Sequence, residues 1–258
     1  LGSALMCGSK KESEWSNVVD NDIVFLDFPY DEDDKFDPSL LPPKEEIAAF
    51  LLETYQGWGA CMYPAEYIKD LYNFARSNGA LVCFDEVQSG FYRMGEVFGY
   101  MTYGEFIKPD LVAAGKGISS CLPMSAVLGR ADIIDSDMDA NLSGTHAGNA
   151  LCCAASLANL EFLTEEEFQK ELKQKVEYFE KRAENLLEYD SVLKVNCKGM
   201  VAGIIFDSTE LANKVVEYCL LNGVLPVCTF RESIKLGPPL TITIDAIAEV
   251  FDVIEQSL

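Results

Sequence analysis

Four short runs constrain this chain most: IAAFLLE (47–53), ALVCFDE (80–86), DLVAAGK (110–116) and SAVLGR (125–130) are each apolar and each end on a charged residue. An amphipathic, helix-like PAEYIKDLYNFARSNG (64–79) separates the first two. Continuous apolar runs of this length, broken by helical segments, are the pattern of parallel strands buried on both faces. They predict an α/β layered domain with a mainly parallel sheet.

The remainder of the sequence alternates differently. From Ala147 it reads as a small-residue helix followed by a long charged one, TEEEFQKELKQKVEYFEKRAENLLEY, expected to be a solvated connection. Strand-like VLKVNC (192–197), MVAGIIF (200–206) and VLPVC (224–228), with helices near 209–222 and 244–257, predict a compact α+β lobe. A length of 258 residues accommodates one large core and such a lobe. The expected division is a large domain over residues 1–165 and a small C-terminal domain over 166–258, meeting between 163 and 170. The first 45 residues are irregular, with an acidic loop Asp31 to Asp34 and a proline-bounded stretch from Pro38 to Pro43.

Charge narrows the partners. With 42 acidic against 20 basic residues the formal charge is −22, a field that repels nucleic-acid phosphates and anionic membrane surfaces. No run reaches the 18 or so apolar residues of a spanning helix. Nine cysteines include no C-x-x-C pair, and the single histidine, His146, has no partner at zinc spacing, so neither a disulfide framework nor a metal site is expected. Free thiols used as small apolar residues suit a reducing cytoplasm. The opening LGSALMCGSK has no initiator Met and no signal-peptide pattern, and the expectation is a chain that begins partway into something longer.

In an open parallel sheet, ligands collect beyond the carboxyl ends of the strands. The residues there are Glu53, Asp85 with Glu86, and Lys116. A carboxylate and a lysine at the rims of two strands can face each other across a pocket, form an ordinary salt bridge, or leave the sheet into water. Spacing leaves all three open.

The segments VCFDEVQSGFYRMGEVFGY and KPDLVAAGKGISSCLPMSAVLGR closely resemble the signature of class III aminotransferases, which are pyridoxal-phosphate enzymes of fold-type I. The stretches LLETYQGWGA (51–60), GTHAGNALCCAASLANLEFL (144–163) and the closing IKLGPPLTITIDAIAEVFDVIEQSL are similar to further family segments. The resemblance implies a fold-type I large domain with a small C-terminal lobe, and a transaminase that moves an amino group from an amino acid or ω-amine donor to a carbonyl acceptor. It implies that Lys116 forms the Schiff base with pyridoxal 5'-phosphate and that, once displaced, it moves a proton. Asp85 would hold the pyridine nitrogen protonated, Val87 would press on a ring face, and Gln88 would bond the ring oxygen. Thr145 would reach the phosphate of a neighbouring subunit's cofactor, which implies a homodimer with shared active sites.

On the substrate side the likeness points to Glu53 and Lys235. Ornithine and 4-aminobutyrate aminotransferases carry an arginine for the α-carboxylate where this chain has Lys235, with a glutamate matching Glu53 as its partner. A lysine replaces a two-pronged donor with a point charge, so carboxylate recognition should be less strict. Some class III members acting on diaminobutyrate or amino sugars look similar here. The family's preceding aromatic segment and its Gly-rich phosphate turn are missing, so weak cofactor binding and poor turnover are expected of these residues alone. An aminomutase or decarboxylase of the same fold, and an inactive fragment keeping only a dimer interface, are the alternative readings.

Overall fold

The computed structural model describes residues 22–137 and 144–258, together with Met6. In chain order these form β1 (Ala49–Glu53), β2 (Tyr55–Gln56), β3 (Cys61–Met62), α1 (Ala65–Asn78), β4 (Leu81–Asp85), β5 (Leu111–Ala114) and β6 (Ala126–Gly129). A short α2 (Ala131–Ile134) precedes the undescribed residues 138–143; α3 (Ala150–Leu163) and α4 (Glu166–Asn185) follow. The C-terminal part adds β7 (Val192–Lys198), β8 (Val201–Phe206), α5 (Thr209–Leu221), β9 (Val227–Cys228), β10 (Ser233–Leu236) and α6 (Ile244–Ser257).

The first sheet runs β1-β4-β5-β6. Its β1, β4 and β5 are parallel, as the apolar runs predict, and the register sets Glu53 beside Asp85 and Asp85 beside Ala113. Three strand ends therefore meet along one rim. The helix α1 makes the crossover from β1 to β4; Tyr67, Ile68, Leu71, Tyr72 and Ala75 recur at helical spacing and are buried. Gly79 in the left-handed conformation ends it, its N–H returning to the carbonyls of Ala75 and Arg76.

The fourth strand differs from the expectation. β6 pairs antiparallel with β5 and lies at the edge, with Val127 and Leu128 exposed. The linking segment 115–125 holds only a single 3-10 turn, whereas a parallel return needs a dozen or more residues, usually with a helix. The chain doubles back instead.

The second sheet, β7-β8-β10-β9, is antiparallel throughout. Phe206 and Ile204 of β8, Ile234 of β10, Phe179 of α4 and Phe251 of α6 form its core. The long charged helix is thus not a solvated connector. Phe168, Leu172, Phe179 and Ala183 of α4 are buried, and even Lys175 is only 2% exposed, reaching Glu171 at 2.6 Å and the Leu240 carbonyl at 3.3 Å. The density of charge hid a helical apolar stripe. Phe91, Ala114 and Ile118 belong to this same core although they come from the first sheet's segment.

The β2–β3 hairpin ties the two sheets together. A Cβ built on Gly203 of β8 would stand 2.0 Å from the Gly59 carbonyl oxygen, so the two backbones are in direct contact. Asn196 of β7 donates its side-chain N–H to that same carbonyl at 2.8 Å. The hydroxyl of Ser233 donates to the Trp58 carbonyl at 3.2 Å.

Candidate active site

A cleft of about 760 Å³ opens where the rim of the first sheet meets the second sheet and α3. Lys116, Val87, Gln88 and Lys235 are among its lining residues, as are Tyr55, Phe91, Arg93 and Asn159.

Lys116 owes its position to the end of β5. Gly115 is extended, and a Cβ there would press on both Val87 methyls at 3.3 Å. Lys116 then takes φ 38° and starts the 3-10 turn Lys116–Ile118. A non-glycine residue in the left-handed region is strained and persists only where its surroundings hold it. Here Asn159 of α3 does so, donating its amide to the Gly117 carbonyl at 2.8 Å and accepting from the Ser120 hydroxyl at 2.7 Å. Two further lining residues, Phe91 and Ser120, also have positive φ. Strain gathers around the cleft.

The opposite wall is the segment after β4. Asp85 accepts from the Val87 N–H at 2.9 Å, which folds the chain over at the strand end. The Tyr55 hydroxyl donates to the Gln88 carbonyl at 3.3 Å, and the Gln88 side-chain oxygen lies where a Cβ on Gly57 would meet it at 2.8 Å. Lys235 Nζ approaches the same point, 3.8 Å from the built Cβ. Gly57 is therefore the notch that lets Gln88 and Lys235 approach.

Beneath this wall lies a carboxylate whose role the sequence left unread. Glu86 is fully buried and accepts from the Ser89 hydroxyl at 2.8 Å, the Gly99 N–H at 2.6 Å, the Tyr100 N–H at 2.8 Å and, at short range, the Thr54 hydroxyl. It staples the segment carrying Val87, Gln88 and Arg93 to the end of β1. A charged residue directly after a buried strand was the available signal.

Glu53 and Asp85 stand on the rim and are not among the side chains that line the cleft. Both are nonetheless within electrostatic reach of it. Burial raises the Glu53 pKa and Asp85 adds to the rise, while Lys116 and Lys235 oppose it. Burial lowers the Lys235 pKa, as do the charges of Lys116 and Arg93, against the pull of Glu53. Two carboxylates and three cations thus share one field. Thr145 lies apart, on an exposed turn ahead of α3, and is not one of the lining residues.

The sequence pattern of the family described as Aminotransferase class-III matches residues 39–258. The acetylornithine aminotransferase of Methanosarcina mazei is 32% identical over 230 residues, covering 89% of this chain and 56% of that protein. The 4-aminobutyrate aminotransferase of Mycobacterium leprae is 33% identical, covering 83% of this chain and 50% of its own length. Among solved structures, an S-selective transaminase from Arthrobacter sp. superimposes with a TM-score of 0.77 at 28% identity, over 84% of this chain and 52% of the other. The chain spans about half the length of the curated relatives it matches.

Proposed function

Because this chain belongs to the class III aminotransferase family, we propose that it supplies the cofactor-anchoring half of a pyridoxal-phosphate-dependent transaminase, with Lys116 as the amine that carries the cofactor. The observation that carries the reading is Lys116 held at positive φ on the lip of a cleft it shares with Val87 and Gln88. Strained, pre-positioned side chains at the ends of parallel strands are where α/β proteins do chemistry.

The residues around the cleft suit the group. Pyridoxal phosphate supplies an aldehyde that captures amines and a protonated pyridine ring that withdraws electrons from them. Lys116 Nζ would hold the aldehyde carbon. Asp85 would keep the proton on the ring nitrogen, Val87 would pack against a ring face, and Gln88 would donate to the ring oxygen. Once free, the Lys116 amine would take the proton from the substrate Cα and deliver it on the same side. Glu53 and Lys235 would meet the substrate's charged ends.

The amino donor would be an amino acid or ω-amine and the acceptor a keto acid or aldehyde. The assembly would be a homodimer. Thr145 is exposed and does not line the cleft of its own chain, and Leu151 and Leu157 of α3 are exposed as well; exposed apolar residues of that kind suit a subunit interface. Every described cysteine is a free thiol, which supports a cytoplasmic setting, and no helix among the described residues is long and apolar enough to cross a membrane.

Borohydride reduction of the chain mixed with pyridoxal phosphate, followed by peptide mass analysis, tests the assignment. A reduced adduct should map to Lys116 and vanish in Lys116→Ala. An adduct spread over surface lysines, or one unchanged in that variant, would refute it.

A further inference from the structure

The loop 237–241, which follows β10, supplies Gly237, Pro239, Leu240 and Thr241 to the lining of the cleft. Little in its own sequence holds it in place. None of its residues is buried, Pro238 and Pro239 have no N–H to donate, and a Cβ built on Gly237 would meet nothing within 4 Å. Its carbonyls are engaged instead, in succession. Pro238 accepts from Arg93 Nη1 at 2.5 Å, Pro239 from the Ile242 N–H at 3.0 Å, and Leu240 from Lys175 Nζ at 3.3 Å. The first and last of these donors are cationic side chains from distant elements, the segment after β4 and the helix α4.

Both donors are themselves tied down. Arg93 bonds reciprocally with Met200 at the start of β8: its carbonyl accepts from the Met200 N–H at 2.8 Å, and its Nη1 donates to the Met200 carbonyl at 2.9 Å. The neighbouring Gly199 N–H donates to Glu180 of α4 at 2.7 Å. Lys175, on the same helix, is 2% exposed and pairs with Glu171 at 2.6 Å. A lysine at that depth persists only when it is paired, and bonds from charged donors hold a carbonyl more strongly than neutral ones. We propose that Arg93 and Lys175 are positioning residues, which clamp the 237–241 loop as a fixed wall and so keep the cleft shaped for its ligand. The clamp does not depend on the transaminase reading; the identity of the ligand does. Lys116 is placed separately, by Gly115 and Asn159. The clamp should therefore govern how readily the cleft fills, and not how far its lysine reacts once filled.

Hydrogen exchange of the full chain reads the clamp directly. The Ile242 N–H, which bonds to neither cation, reports on the loop, and the Val82 and Phe84 N–H groups of β4 report on the rest of the fold. In Arg93→Gln, and in Lys175→Met, which keeps the apolar stem, Ile242 should exchange about tenfold faster relative to Val82 and Phe84, the size expected for losing a charge-assisted hydrogen bond. Arg93→Lys keeps a charged donor and should recover most of that protection. An Ile242 that exchanges as in the parent, an acceleration shared equally by β4, or an Arg93→Lys as fast as Arg93→Gln overturns the clamp. With pyridoxal phosphate as the probe, Arg93→Gln and Lys175→Met should each raise several-fold the concentration that half-saturates the Lys116 adduct, at the parent's maximal yield. An unchanged half-saturating concentration overturns the role in the cleft. If the parent forms no Lys116 adduct while Ile242 still responds, the transaminase reading fails and the clamp stands; an adduct at Lys116 with an unresponsive Ile242 removes the clamp alone.

Discussion

At Lys235 a charge is held where burial and two neighbouring cations oppose it, and only Glu53 favours it. The folded-state pKa of this lysine lies below its unfolded value. Protonated lysine is then the form that folding disfavours, so it subtracts from stability below the unfolded pKa, and the penalty fades as pH rises through the lysine range. Lys235→Met, which keeps the apolar stem and removes the charge, should therefore raise the melting temperature at pH 7. The gain should shrink toward pH 10.5. A scan of Tm against pH for the two proteins checks both parts. The opposite sign would mean that Lys235 is paired and stabilising. Binding sites often retain a destabilising group because function requires it.

The element that sets the site is the turn between β4 and the Gly99 segment, and Glu86 is its fastener. A buried carboxylate with four donors and no cation partner among the described residues depends on those donors for its compensation. Glu86→Gln replaces one acceptor oxygen by an N–H₂ group facing donors, and should destabilise the protein by about 2–4 kcal/mol in urea melts. It should also abolish selective labelling at Lys116, since Val87 would lose its support under Gly115. A variant as stable as the parent would remove Glu86 from the account. Much of this level was legible beforehand. β4 and β5 fall within the apolar runs 80–86 and 110–116, and their charged ends do mark the rim. The antiparallel turn of β6 was not legible from hydrophobicity, because an edge strand and a buried strand share short apolar runs; the length of the connection decides. α4 was misread because its buried stripe of Phe168, Leu172, Phe179 and Ala183 is diluted by the many Lys and Glu between them. Arg93 stood inside the quoted motif with no sign that its Nη1 donates to the main-chain carbonyls of Met200 and Pro238, more than a hundred positions away.

For the whole molecule, one apolar cluster reaches from the second sheet to the end of β5, since Phe91, Ala114 and Ile118 pack with Met200, Ile204 and Phe206, while Phe50, Leu52, Val82 and Phe84 form a separate cluster with α1. The Gly59–Gly203 backbone contact closes the same junction. These two links couple the clusters, and a single calorimetric transition is expected. Gly203→Ala forces a Cβ into the Gly59 backbone and should split or broaden it. The formal charge of −22 makes the folded state repel itself, and screening relieves this, so the Tm should rise as NaCl goes from about 20 mM to about 300 mM, where the Debye length falls below about 10 Å. A Tm that stayed flat or fell across that range would show that self-repulsion does not limit the stability of the folded chain.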